Sequence, residues 1–457
     1  MKKSLLAALI MVPAVIVGIN ISGPKQESQV EAAYAPYQIV NGGFETGDFT
    51  GWSKYYIWKN EDGMKAFDDS LIHGNTYFGS NPYNKDGSYQ LGITSLADSG
   101  SGTIKWDQSA ERMGYLRSSN FTLGGSGWIS FRMGGARFAS FAYISVRKSA
   151  DDTEVARFGN RWYNDTDRAT TVYGSSISNA EAFMFPYYFN LSTVVALGTG
   201  LYIMLCDTSA LSWSVISADN FVTYYATAPS HEDDDMAYNI IPSISGAGSG
   251  TNTIPNGGFD SNLNNWSIGL KADGTSEGNW VQDSGHALSN GNGTGDGGIG
   301  CLRSSAFILT DNKYVKVDWA GGIAYDKRIF MSIKEVGTNI EKLRFVRRDN
   351  LSGEKSSNYN NHLLDTSGLS ASKEYYIEFA DNSDEGWGVN FVNTVELTAT
   401  YSPSGDYAVL ITPFDSTFAA PTLTTQQEAT GYGADFINET GSYCTALDGG
   451  AMATDGK

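Results

Sequence analysis

Apolar and polar side chains alternate with a period of two along several stretches of the chain. Ile129, Phe131 and Met133 share one face, with Ser130 and Arg132 on the other, the pattern of a strand with one side in a core. Tyr143, Ser145 and Arg147 alternate less cleanly with Ile144, Val146 and Lys148. Turn signals such as Gly124-Gly125, Gly134-Gly135 and Asp151-Asp152 separate these stretches at short intervals. Few stretches have a helical period; Gln426 to Thr440 reads as a short helix. Many short strands with turns and almost no helix predict an all-β fold, a sandwich or jelly roll.

The strands come in two sets. NGGFETGDFTGW at Asn41 to Trp52 returns as NGGFDSNLNNW at Asn256 to Trp266. LRSSNFTLGGSGWISF from Leu116 returns as LRSSAFILTDNKYVKV from Leu302. AYISVRKSADDTEVARF, ending at Phe158, matches IFMSIKEVGTNIEKLRF, ending at Phe345. LYIMLCDTSALSWSVISADNFVTYY from Leu201 matches YYIEFADNSDEGWGVNFVNTVELTA from Tyr375 without a gap. Four matches in one order predict a duplicated module. The expected boundaries are 37–225 and 252–401, joined by an acidic, Gly- and Ser-rich linker at 226–251. The acidic run Glu232 to Asp235 reads as a solvated linker face. Residues 402–457 read as a further linker with the short helix, and the ending GGAMATDGK suits either a fragment of a longer chain or a short tail. The copies differ in loops: the first carries an extra segment from His73, the second a Gly- and Asn-rich stretch from Asn290 to Gly300. Loops set specificity more often than strands do.

Length and charge narrow the function. A chain of 457 residues allows roughly two or three domains. The balance is 31 Lys+Arg against 50 Asp+Glu, a net charge of −19, which repels phosphate backbones, so no nucleic-acid partner is expected. Lys2 and Lys3 precede an apolar run from Leu5 to Ile19 and then a polar stretch, so residues 1–32 read as a signal peptide cleaved after Ala32. The run is short for a membrane span. A secreted protein, without membrane insertion after cleavage, is the expectation. Cys206, Cys301 and Cys444 have no metal-ligand spacing. Buried free thiols are the main reading, with a Cys206–Cys301 bridge as the alternative.

NGGFETGDFTGW, NKDGSYQLG, LRSSNFTLGGSGWISFRMGG and LYIMLCDTSALSWSVISADNFVTYY resemble the non-catalytic β-sandwich modules that accompany bacterial levanases and related glycoside hydrolases of family 32. More distantly, NGGFE…GW with a closing DNF resembles the galactose-binding-like carbohydrate modules. The resemblance implies two tandem jelly-roll β-sandwich modules, an extracellular setting and an extracellular polysaccharide, first of all a fructan, as partner. The hydrolases' catalytic motifs are missing, as are HExxH, a phosphate loop and a nucleophile elbow. No pair of carboxylates stands out as a glycosidase dyad.

Sugar recognition needs an aromatic face and hydrogen-bonding groups in a cleft. Asp207 with Trp213, and Asp381 and Asn382 with Trp387, offer both in the closing segments; a core Trp and a turn-forming Asp are the structural alternative. Arg157 and Arg344 recur at equivalent places, able to meet paired hydroxyls or a neighbouring acid. Trp52 and Trp266 read as core plugs. First and last strands of a sandwich commonly adjoin, which would bring Glu45 near Asp219 and suggests a structural Ca²⁺ there. Asp260 replaces the Glu in the second copy and Asn393 the Asp, weakening any such site. The leading expectation is a secreted, non-catalytic carbohydrate-binding protein. Its alternatives are the binding portion of a larger glycoside hydrolase and a structural or adhesive surface protein.

Overall fold

The computed structural model describes residues 36–55, 67, 71–92, 114–209, 211, 213–291, 293, 295–321, 329–346, 356–383, 388–400, 409–410, 443–446 and 452–455. The expected signal peptide, Trp387 and the expected helix at 426–440 lie outside them. In the first half the chain forms β1 (Trp52–Tyr55), β2 (Ile72–His73), β3 (Tyr77–Phe78), β4 (Asn81–Pro82), β5 (Gln90–Leu91), β6 (Gly114–Ser118), β7 (Phe121–Thr122), β8 (Trp128–Gly135), β9 (Ala142–Lys148) and β10 (Glu154–Phe158). The helix α1 (Thr166–Tyr173) and the strands β11 (Phe185–Asn190), β12 (Gly200–Asp207) and β13 (Ile216–Val222) follow. The second half forms β14 (Trp266–Ile268), β15 (Val281–Asp283), β16 (His286–Leu288), β17 (Gly300–Ser304), β18 (Tyr314–Gly321) and β19 (Ile329–Glu335). It continues with β20 (Glu341–Val346), β21 (Ser356–Asp365), β22 (Tyr375–Asp381), β23 (Asn390–Thr398) and β24 (Val409–Leu410).

Each half is a sandwich of two antiparallel sheets. The first pairs β1-β6-β12-β9-β10 with β11-β8-β13-β5-β2; the second pairs β14-β17-β22-β19-β20-β24 with β15-β16-β23-β18-β21. The chain is all-β, two tandem jelly-roll sandwiches, with one short α-helix among the described residues. The two halves agree in register as well as order. Trp52 faces Ser118 and Asp207 faces Gly114 in the first; Trp266 faces Ser304 and Asp381 faces Gly300 in the second. Ile129, Phe131 and Met133 enter the first core as their alternation predicts, and Val315, Val317 and Trp319 of β18 fill the same places in the second.

The repeated motifs are structural devices. Asn41 and Asn256, both at positive φ, each close the opening loop with their side-chain amide. Asn41 donates to the Asp48 and Thr50 carbonyls at 3.1 Å each, and Asn256 to those of Asn262 and Asn264 at 2.9 and 2.8 Å. The indole N–H of Trp52, and that of Trp266, returns to the Asn carbonyl at 3.1 Å, and both tryptophans are core plugs. The first glycine of each motif lies against the closing strand: a Cβ on Gly42 would sit 2.5 Å from the Phe221 carbonyl oxygen, and one on Gly257 2.0 Å from that of Val395. First and last segments therefore adjoin, as expected. In each LRSS motif the first serine hydroxyl accepts a β12 or β22 amide, Ile203 N–H to Ser118 and Ile377 N–H to Ser304, both at 2.9 Å.

The sheet led by β1 faces the sheet led by β14, and charged side chains fill the space between modules. Strands β12, β19 and β22 are buried along almost their whole length. This explains the imperfect alternation of β9: Ile144 and Val146 lie in the sandwich core, while Tyr143, Ser145 and Arg147 are buried against the second module. Glu154 accepts from both Nε and Nη2 of Arg157 at 2.9 and 2.8 Å, from Ser145 at 2.7 Å and from Asn339 of the second module at 2.7 Å. Arg147 donates to the Thr338 carbonyl, and Gly337 accepts the Glu154 amide at 2.9 Å. Glu378 pairs with Arg303 and Lys334 at 2.7 and 2.5 Å. Burial opposes ionisation of Glu154 and Glu378, yet these cations hold both carboxyls down at about 2.

Segment 226–251 is no loose linker. Asp235 is buried and pairs with Arg168 of α1, Asp234 approaches Arg161 at 3.5 Å, and the Trp162 indole donates to the Asp234 carbonyl at 3.1 Å. Within the acidic run Glu232, Asp233 and Asp234 face solvent as expected, and Asp235 alone is buried, because the helix it touches carries the matching cation, Arg168. Further on, Ala237 N–H reaches the Tyr188 carbonyl of β11, and the Ile308 amide reaches the carbonyl of Thr251. Cys206 and Cys301 are buried free thiols, and the bridge does not form. Burial pushes the Cys206 thiol up to about 12. No helix among the described residues is long and apolar enough to cross a membrane.

Candidate functional site

A cleft of about 380 Å³ opens where loops of the two modules meet. The first module supplies Arg137 and Phe138 from the β8–β9 loop, and Asn160, Arg161 and Tyr163 from the stretch between β10 and α1. The second supplies the turn Lys271–Asp273, then Glu277 and Asn279, and Gly297–Ile299 ahead of β17. The turn is built by short-range chemistry: Gly274, at positive φ, donates to the Lys271 carbonyl at 2.9 Å, and Asp273 accepts the amide and hydroxyl of Thr275 at 2.9 and 2.6 Å. Small residues bring the walls together. A Cβ on Gly159 would lie 2.6 Å from the Ala139 Cβ and 2.8 Å from that of Ala272.

Glu277 is half-buried beneath this cleft. Its Oε1 accepts from Ser140 of the first module and its Oε2 from the Cys301 amide at 2.9 Å. Glycines make room for it: a Cβ at Gly269 or Gly300 would lie 2.2 Å from Oε2. Burial raises its carboxyl to about 7, against the pull of the Ser140 hydroxyl and Arg303. Beside it Asn279 is 1% exposed. Its amide donates to the Gly298 carbonyl at 3.0 Å, but its Oδ1 has no partner. A buried carbonyl without a donor costs about 1–3 kcal/mol. Asn160 is satisfied already, donating to the Gly135 carbonyl and accepting from Tyr187.

The residues singled out in the sequence sit elsewhere. Arg157 and Arg344, 2% and 1% exposed, hold carboxylates rather than hydroxyls. Arg157 grips Glu154 over the Tyr143 ring, and Arg344 grips Glu341 at 2.7 and 2.8 Å over the Phe330 ring. Asp207 is fully buried and pushed well up by that burial, with the Ser209 and Ile216 amides pulling the other way. Asp381 accepts from Ser289 and, at 3.3 Å, from the Ser383 amide. Asn382 crosses the module interface to accept the Ser209 hydroxyl at 2.9 Å. Trp213 packs edge-on against Phe78 at 5.0 Å. None of these six lines the cleft.

Glu45 and Asp219 do converge, through one loop. Glu45 accepts the Ser88 amide at 2.9 and 3.0 Å and that of Tyr89 at 3.2 Å, while Asp219 accepts those of Asp86 and Asn220 at 2.6 and 2.7 Å. Burial raises Asp219 to about 7. N–H donors thus reach all four oxygens of the pair, each of which keeps further acceptor capacity. In the second module Asp260 is exposed and Asn393 donates to Asp318 at 2.6 Å. Among the described residues no group of three or more His, Cys, Asp or Glu is placed to hold a metal.

No family model matches the chain, and no curated protein matches it. Among solved structures it is similar to the tandem CBM51 modules of Sp3GH98, the family 98 glycoside hydrolase of Streptococcus pneumoniae. That match has 8% identity, covers 76% of this chain and 100% of that one, and has a TM-score of 0.16. The tandem CBM22-1–CBM22-2 domain of Paenibacillus barcinonensis Xyn10C matches at 8% identity over 80% and 98%, with a TM-score of 0.19. The plant receptor-like kinase ANX1 matches at 11% identity over 62% and 81%, with a TM-score of 0.16. At such scores the likeness fixes no ligand.

Proposed function

We propose that this chain binds carbohydrate in the cleft between its modules and does not transform it. The carrying observation is the lining: the unpartnered Oδ1 of Asn279 beside half-buried Phe138 and Tyr163. Aromatic faces take the apolar side of a sugar ring, and a buried acceptor takes a hydroxyl proton. The two acids of the cleft are engaged by fixed donors, Asp273 by Thr275 and Glu277 by Ser140 and Cys301. That arrangement suits holding a ligand better than attack on a glycosidic bond, which takes two facing carboxylates.

An exported setting is part of the same reading. It rests on the Lys2–Ile19 pattern, which lies outside the described residues, and on the resemblance to levanase-associated modules. That resemblance places levan and inulin first among ligands to try and makes association with a glycoside hydrolase the natural context. Affinity electrophoresis of the whole chain through gels containing soluble polysaccharides tests the proposal. Retardation by at least one polymer, weakened by Asn279→Ala and without release of reducing sugar, is the expected result. Folded protein that no polysaccharide retards would overturn it.

A further inference from the structure

The cleft gathers three cations beside two acids, Asp273 and Glu277, in a protein whose net charge is −19. Arg137, Arg161 and Lys271 converge on it from three separate loops. Arg137 and Lys271 are exposed, and neither is in an ion pair among the described residues. The Arg137 guanidinium lies over the Phe138 ring at 4.8 Å. Arg161 lies between Trp162 at 4.3 Å and Tyr238 at 4.8 Å, and its Nη1 and Nη2 reach the Met236 carbonyl and the largely exposed Asp234, both at 3.5 Å. Stacking on the Phe138 ring holds the Arg137 guanidinium plane in place while leaving its N–H edge free. Facing these cations, Asp273 accepts from Thr275 through Oδ1 and lies in the field of Lys271, while the Glu277 carboxyl is tied to Ser140 and the Cys301 amide.

Two demands therefore fall on one ligand. The cations ask for an anion, and planar guanidinium forks suit a planar carboxylate. The orphaned Oδ1 of Asn279, which lines the same cleft, asks for a hydroxyl donor. Building on the carbohydrate reading above, we infer that the cleft selects a uronic acid: a sugar whose carboxylate meets Arg137, Arg161 and Lys271 while a ring hydroxyl donates to Asn279. A neutral fructan would satisfy the second demand only.

The test compares polygalacturonate with the same polymer after its carboxyls are reduced to primary alcohols, using the whole chain in affinity gels. Charge-assisted contacts of this kind predict at least about a tenfold weaker Kd for the reduced polymer. Arg137→Ala and Lys271→Ala should each weaken polygalacturonate binding several-fold without moving the Tm, since both side chains are exposed; Lys271→Glu should weaken it further. Equal retardation by the reduced polymer, or by levan, overturns the uronate inference while leaving carbohydrate binding intact. Polyglutamate binding as tightly as polygalacturonate also overturns it, because charge alone would then suffice. Absence of binding to every polysaccharide sinks both readings.

Discussion

Replacing Glu154 by Gln removes one negative charge from the module interface and leaves its shape. The carboxyl sits with Arg157 and Arg147, both almost fully buried, and receives Asn339 from the opposite module. Held at about 2 against an ordinary 4.5, it contributes about 3 kcal/mol of folding stability above pH 5. The sign is that of a depressed acid: the contribution is complete above pH 4.5 and is lost as pH falls towards 2. Removing one partner of a buried pair also strands the other charges, which costs about 3–5 kcal/mol. Urea unfolding followed by tryptophan fluorescence at pH 7 should therefore show Glu154→Gln destabilised by about 3 kcal/mol or more, with a shallower acid limb between pH 5 and 2. Glu378, held down in the same way, adds to that limb. A loss under about 1 kcal/mol at pH 7, no more than an exposed pair is worth, with an unchanged acid limb, would refute the assignment of this network.

Glu277 works with the opposite sign. Its raised carboxyl favours the folded state below pH 4.5, and that benefit disappears as pH rises through about 7; Glu277→Gln should raise the Tm at pH 8 and change little at pH 4, read by calorimetry. Ser118→Ala and Ser304→Ala each orphan one strand amide, so each should cost about 1–3 kcal/mol in urea unfolding, with like effects in the two copies. Calcium addition or chelation should leave the Tm unchanged, since no third His, Cys, Asp or Glu joins Glu45 and Asp219 among the described residues; a rise on calcium addition that Glu45→Ala abolishes would reverse that expectation.

What the sequence made legible is what short stretches decide. The opening loop is closed by its own Asn and Trp, and the LRSS serine serves the neighbouring strand, so both recur as readable motifs and both give the register. Alternation located the cores because Ile129, Phe131 and Met133 point one way. The module interface was illegible for the converse reason: Arg147, Glu154 and Arg157 occupy the outward positions of their strands, where polar residues ordinarily meet water. Only the second module turns that surface into an interior. Asp235 misled in the same way, its partner cation Arg168 lying 67 residues upstream. The cleft draws on four separate loops, none with a motif of its own. The Gly-rich stretch ending at Gly300 was the one local hint, since Gly297–Ile299 does line the cleft.

Because the two sandwiches share a desolvated charged seam and are strapped by residues 226–251, they are not beads on a flexible string. A titration should saturate at one ligand per chain, not two. Splitting the chain at the strap would leave each half with only one wall of the cleft.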